Sequence, residues 1–170
     1  MRTRCVRWLG LLMLVAPACG GGSDGGAPFT PTMPVADACN MLALSDVQAL
    51  VPGAPAGTPL PPDDTADDWI RGCAWQANGM AVTLIVEGAL TSNGDRVLAF
   101  EVEATSNDTT QATAVSGVGD KAVYLVNRGL GQILNARKGG YVVSLSASGF
   151  TPEVPESSLQ PLVVEALGKL

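Results

Sequence analysis

Arg71-Gly72-Cys73-Ala74-Trp75-Gln76-Ala77-Asn78-Gly79-Met80-Ala81-Val82-Thr83-Leu84-Ile85-Val86-Glu87 is two apolar segments separated by Asn-Gly. Both residues of that dipeptide tolerate the positive φ of a type I′ turn, so the stretch reads as a β-hairpin. Cys73 and Trp75 fall on one face of the first strand, and Val82, Leu84 and Val86 on one face of the second. An antiparallel sheet is expected to begin here.

Further strands are expected at 121–127, 132–138 and 141–148, joined by Arg128-Gly129-Leu130-Gly131 and by Gly139-Gly140. In the last of them Tyr141, Val143, Leu145 and Ala147 alternate with Val142, Ser144, Ser146 and Ser148, as in a strand with one buried and one wet face. These three form an antiparallel meander. With the hairpin they make a sheet of about five strands.

Helical signals lie at both ends of this set. A short helical turn is expected at Asp37–Leu42, then a helix opened by a Ser45/Gln48 capping box and ended by Pro52-Gly53. Near the C-terminus, Leu159, Leu162, Val163, Ala166 and Leu167 follow helical spacing, with Ser158 as cap and Pro161 in the first turn. Residues 95–104 fit a strand through Leu98, Phe100 and Val102, or a helix through Val97, Phe100, Glu101 and Ala104; the helix is preferred. The Pro-rich stretch Gly53–Asp68 reads as a long irregular loop, and Ser106–Thr113 as polar linker. The fold class is α+β: one antiparallel sheet with N- and C-terminal helices on one face.

Upstream, Arg2, Arg4 and Arg7 precede an apolar run at Trp8–Ala16. That run has the length of a signal-peptide core and is too short to span a bilayer. Ala16-Pro17-Ala18 supplies a small-x-small cleavage site, and Val15-Ala16-Pro17-Ala18-Cys19 resembles a bacterial lipobox, although Leu is usual where Ala16 stands. Cleavage before Cys19 leaves Cys19, Cys39 and Cys73. Lipidation of Cys19 removes the odd thiol that an oxidising compartment disfavours and leaves an even pair. The expected organisation is a signal peptide (1–18), a lipidated Gly- and Pro-rich tether (19–36) and a single domain (37–170). The expected location is the cell membrane, lipid-anchored and facing the periplasm or exterior.

A disulfide between Cys39 and Cys73 would tie the first helix to the first strand, with Trp75 packed near it as core. The competing reading, a redox thiol site, has no C-x-x-C behind it.

The mature chain carries seven basic and sixteen acidic residues, a formal charge of −9. Such a surface repels nucleic-acid phosphates, so no nucleic-acid partner is expected. The sequence contains no histidine, which excludes Ser-His-Asp and Cys-His catalysis and His-based zinc sites.

Other candidate chemistry rests on weaker patterns. Gly117-Val118-Gly119-Asp120-Lys121-Ala122 matches G-x-G-x-x-A, but a strand follows where a dinucleotide site needs a helix, so a tight turn is expected. Asp63, Asp64, Asp67 and Asp68 offer oxygen ligands without calcium-loop spacing and read as a solvated acidic loop. Trp69 beside them either packs under the loop or presents a contact to a partner. Glu87, Glu101 and Glu103 offer a carboxylate pair of unknown separation. Ser144, Ser146 and Ser148 with Lys121 or Lys138 would be needed for Ser-Lys chemistry. No cofactor or metal is expected.

Asp37-Ala38-Cys39-Asn40-Met41-Leu42, Cys73-Ala74-Trp75 and Val115-Ser116-Gly117-Val118-Gly119-Asp120-Lys121-Ala122 occur in this order. Together they resemble a family of bacterial, largely actinobacterial-type, exported lipoproteins of unknown function with D-x-C-x-L-L, C-x-W and V-x-G-[LV]-G-D-x-A motifs. The resemblance covers most of the chain from Asp37 onward and implies a lipid-anchored small α+β domain; it carries no catalytic residues. The expected function is non-catalytic binding of an envelope protein, a cell-wall component or a small lipid-like ligand. The alternatives are a structural or accessory envelope subunit without ligand, and a histidine-free hydrolase.

Overall fold

The computed structural model describes residues 37–129 and 131–170. The expected signal peptide, the expected tether and Cys19 lie outside them. Asn78 (φ 54°) and Gly79 (φ 79°) make the expected turn between β3 (Asp68–Ala77) and β4 (Met80–Ala89). The meander is β6 (Lys121–Asn127), β7 (Gly131–Lys138) and β8 (Tyr141–Ser148). Pairing of β8 with β4, in the register Leu84↔Leu145, fuses hairpin and meander into one sheet.

The sheet has eight strands where about five are expected from the pattern. The additions are β1 (Thr58–Pro59) and β2 (Asp63–Asp64), both paired with β3, and β5 (Thr110–Val115), paired with β6. Two-residue strands in a Pro-rich loop carry no periodicity. Thr-Gln-Ala-Thr-Ala-Val has no alternating large apolar residues, and its strand character comes from pairing with β6. The order is β1-β3-β4-β8-β7-β6-β5, antiparallel at every pairing.

Both sheet edges are protected against pairing with another chain. Prolines interrupt the β1–β2 edge. On β5 the outward N–H groups of Thr110 and Ala112 donate to Asn107 Oδ1 and Ser106 Oγ, each at 2.9 Å.

One sheet face carries Trp75, Leu84, Leu134 and Leu145, all essentially buried. A 3-10 turn (Ala38–Met41), α1 (Leu44–Leu50) and α3 (Glu156–Gly168) cover it, placing the N- and C-terminal helices on one face as expected. The Cys39–Cys73 disulfide ties the 3-10 turn to β3. Gly57 passes directly over it; a Cβ there would come within 2.3 Å of Cys73 Sγ and 2.6 Å of Trp75 Nε1.

The expected caps do not form. The N-cap of α1 is Ala43, without a side-chain cap. Gln48 Nε2 donates instead to the Ala54 carbonyl at 2.7 Å, and the Ala43 N–H donates to Glu165 Oε1 of α3 at 3.1 Å. Lys169 adds bonds to the Asn40 and Met41 carbonyls at 3.2 and 3.0 Å. The last helix thus closes the first, a long-range solution that local spacing cannot reveal. Helix α3 begins after Pro155, before Ser158, so Pro161 is its sixth residue. Ser157, whose carbonyl loses a donor to that proline, is exposed, and water can serve it.

The ambiguous segment is helix α2 (Ser92–Glu101), on the opposite face. Strands β8, β7 and β6 lie between β4 and β5, so the connection from β4 to β5 must cross the sheet. Leu98 and Val102 then bury against Ala89 and Val142 in a four-residue apolar cluster separate from the main core. No helix among the described residues is long and apolar enough to cross a membrane.

Candidate functional site

The residues with perturbed chemistry gather under α2. Glu87 projects from β4 on the face opposite Leu84 and Val86, and Glu101 is the last residue of α2. Their side chains lie near enough for each to influence the ionisation of the other. Glu87 is pushed up to about 7, first by burial, then by the charge and hydrogen bond of Glu101 and the charge of Asp68. Burial also raises Glu101; its bond to Glu87 works in the opposite direction, and Asp68 adds to the rise. Next to the pair, Asn135 Nδ2 donates to the Glu101 carbonyl at 2.8 Å, while Asn135 Oδ1 is buried without a partner.

Of the carboxylate trio marked in the sequence, the structure brings together Glu87 and Glu101. Glu103 instead pairs with Lys121 at 2.5 Å.

The acidic loop holds α2 in place. The Asp67 carboxylate accepts bonds from Thr91 Oγ1 at 2.6 Å and Asn93 Nδ2 at 2.9 Å, and these two bonds lower its pKa. Thr91 caps the helix by accepting from the Asn93 and Gly94 amides. Gly94 has no room for a Cβ, which would lie 2.1 Å from the Asp67 carbonyl oxygen. Asp64 pairs with Arg71, whose hydrogen bond lowers the Asp64 pKa, and Asp68 accepts from Thr65 Oγ1 at 2.5 Å. These carboxylates are engaged with the protein itself. No cluster of three or more metal-ligating side chains occurs among the described residues.

Trp69 is fully buried, the packed alternative of the two readings, and has no surface left for a partner. Its ring meets Tyr141 edge-on at 6.1 Å, and the Arg71 guanidinium lies 5.7 Å from its centroid. Gly88 makes room for it, since a Cβ there would come within 2.3 Å of the ring.

Gly117 and Gly119 adopt positive φ (78° and 59°), and β6 follows directly. The Asp120 N–H donates to the Arg137 carbonyl and Asp120 Oδ2 accepts from the Gly139 N–H, both at 2.7 Å. With the C-terminal end of α3 beside it, the loop presents a carboxylate and helix carbonyls, which disfavour a phosphate. Lys138 donates to the Leu167 carbonyl on the main-core face, away from Ser144 and Ser146, and Lys121 is held by Glu103, so no Ser-Lys pair forms.

Clefts among the described residues are shallow. One of about 220 Å³ is lined by Asn127, Gln132, Ser148, Phe150 and Glu153, and one of about 460 Å³ lies beside Cys39, Trp75 and Lys169. Beyond α2, the second face leaves Ala74, Thr83, Ile85, Ile133 and Ser146 half-buried. Val97 (49% exposed) and Phe100 (77%) sit on the outer side of α2.

The sequence contains no signal for the Asp67–α2 contacts or for the Arg137–Asp95 ion pair at 2.6 Å, because their partners lie 24 to 42 residues apart. Comparison with family models, with curated proteins and with solved structures finds no match to this chain.

Proposed function

We propose that the chain is a cell-envelope protein anchored by lipid at Cys19 and facing the periplasm or exterior. Its domain acts as a non-catalytic binding module for a protein partner. The observation that carries this reading is the half-covered second face of the sheet. There Ile85 and Ile133 stay partly exposed beside α2, and Phe100 stands 77% exposed on it. An exposed aromatic on the helix and half-exposed aliphatic residues on the sheet face that the helix covers suit a protein interface. The carboxylates around it, Asp68, Glu87, Glu101 and Glu103, favour a partner with basic residues. A small lipid-like ligand would need a deeper apolar cavity than the described clefts offer.

Two measurements test the reading. Palmitate labelling of the wild type and Cys19→Ser examines the anchor, and equal labelling of the two overturns it. Photo-crosslinkers placed at residues 85, 100 and 164 in the membrane-anchored chain examine the face. Val164 is a matched control, 50% exposed on α3. One shared protein adduct from 85 and 100, absent from 164, is expected; the same adducts from all three positions, or none, overturn the interface.

A further inference from the structure

Val154 is pinned from both sides. Its N–H donates to Gln132 Oε1 at 3.2 Å, and its carbonyl accepts from the Tyr124 hydroxyl at 2.6 Å. The connection from β8 to α3 is thereby fastened over the sheet end where β7 begins, away from Arg137 and α2. Phe150 and Glu153 stand on that connection. With Asn127, Gln132 and Ser148 they line the cleft of about 220 Å³.

Gln132 is the one buried polar side chain among the described residues, 4% exposed. Its Oε1 is given to Val154, and its Nε2 donates to no described residue. Two N–H donors left unmet in a buried place are costly, so the cleft offers a fixed donor to whatever enters. Asn127 Nδ2 donates to Thr110 Oγ1 at 3.2 Å, which leaves Oδ1 as an acceptor. The Ser148 hydroxyl can donate or accept. Glu153 is exposed and has no ion-pair partner among the described residues. Phe150, half-buried against the core, gives the lining its aromatic part.

We propose that this cleft binds a single neutral sugar ring through its hydroxyl groups. The volume is below the range of about 300–1,000 Å³ of clefts that take drug-sized ligands, so it suits one ring rather than a chain of them. Its acceptors outnumber its fixed donor, and each sugar hydroxyl can donate to Glu153 or Asn127 while accepting from Gln132. The Phe150 ring offers an apolar surface to the sugar's C–H groups. No lysine or arginine lines the cleft, and Glu153 repels an anion. A protonated amine would meet one carboxylate at an exposed rim, where an ion pair is weak. The site is separate from the sheet face proposed for a protein partner, and neither needs the other.

Saturation-transfer NMR of the full chain in detergent micelles, with glucose, galactose, mannose and N-acetylglucosamine at about 10 mM each, tests it. Transfer to at least one of these sugars is expected, with glucuronate and putrescine silent. Glu153→Ala and Gln132→Glu should each weaken binding of that sugar about tenfold. The first removes an ionised acceptor; the second removes the donor and keeps an oxygen for the Val154 N–H. Asp63→Ala, an exposed carboxylate on β2 at the other edge of the sheet, should leave binding unchanged. Glu153 is exposed, so its variant keeps the fold whatever becomes of Gln132→Glu. No transfer to any of the four sugars overturns the proposal. So does stronger transfer to putrescine or glucuronate, full binding in a folded Glu153→Ala or Gln132→Glu chain, or an equal loss in Asp63→Ala.

Discussion

The two faces of this sheet are built on different principles. One is sealed by the first and last helices of the domain, a disulfide and a continuous apolar core in which Trp75, Leu84, Leu134 and Leu145 are essentially buried. The other is covered by a single ten-residue helix resting on a four-residue apolar cluster, with carboxylates and amides doing much of the holding. Burial is non-directional and insensitive to pH, so the first face is permanent. Hydrogen bonds accepted by carboxylates, such as those of Asp67, depend on ionisation, so the second can be conditional. A domain that must persist and also respond can divide the two tasks between its faces.

The sharpest break of this contrast is at the disulfide. Removing it with Cys39→Ser and Cys73→Ser together opens a crosslink between residues 34 apart. It should destabilise the whole domain by about 4 kcal/mol on the chain-entropy model, measured by denaturant unfolding. All probes should shift together, because the crosslink belongs to the common core.

Leu134→Ala and Leu98→Ala form a matched pair. Both side chains are fully buried, one on each face. Leu134→Ala should cost about 3 kcal/mol of global stability. Leu98→Ala should cost about 2 kcal/mol, appearing mainly as faster amide exchange in α2, because its cluster has few neighbours to lose. Equal global losses from the two would erase the distinction between the faces.

The smallest effect is at the helix start. Thr91→Ala removes the cap from the Asn93 and Gly94 amides and the hydroxyl bound to Asp67. The expected cost is about 1 kcal/mol, again confined to α2 exchange.

Much of the fold could be read locally. Asn78-Gly79 marked the hairpin, the alternation from Tyr141 to Ser148 marked a strand, and the spacing from Leu159 to Leu167 marked the closing helix. The Cys39–Cys73 pair followed from counting cysteines. Local motifs failed where distant groups supplied the bond. The Ser45/Gln48 capping box is absent because Glu165, more than a hundred residues away, receives the Ala43 amide. The acidic loop read as solvated, yet Asp67 fastens α2.

By itself, the sequence determined the fold class, the cysteine pairing and the absence of histidine chemistry. Each follows from residue identity or short-range periodicity, which survive without knowledge of contacts. The tertiary structure alone decided which sheet face residues 92–101 cover, that Trp69 is buried and that Glu101 comes near Glu87. The physical reason is the crossover. Once β8 pairs with β4, the chain leaving β4 must travel across the sheet to reach β5, and that path lays α2 against β4 with Glu101 near Glu87.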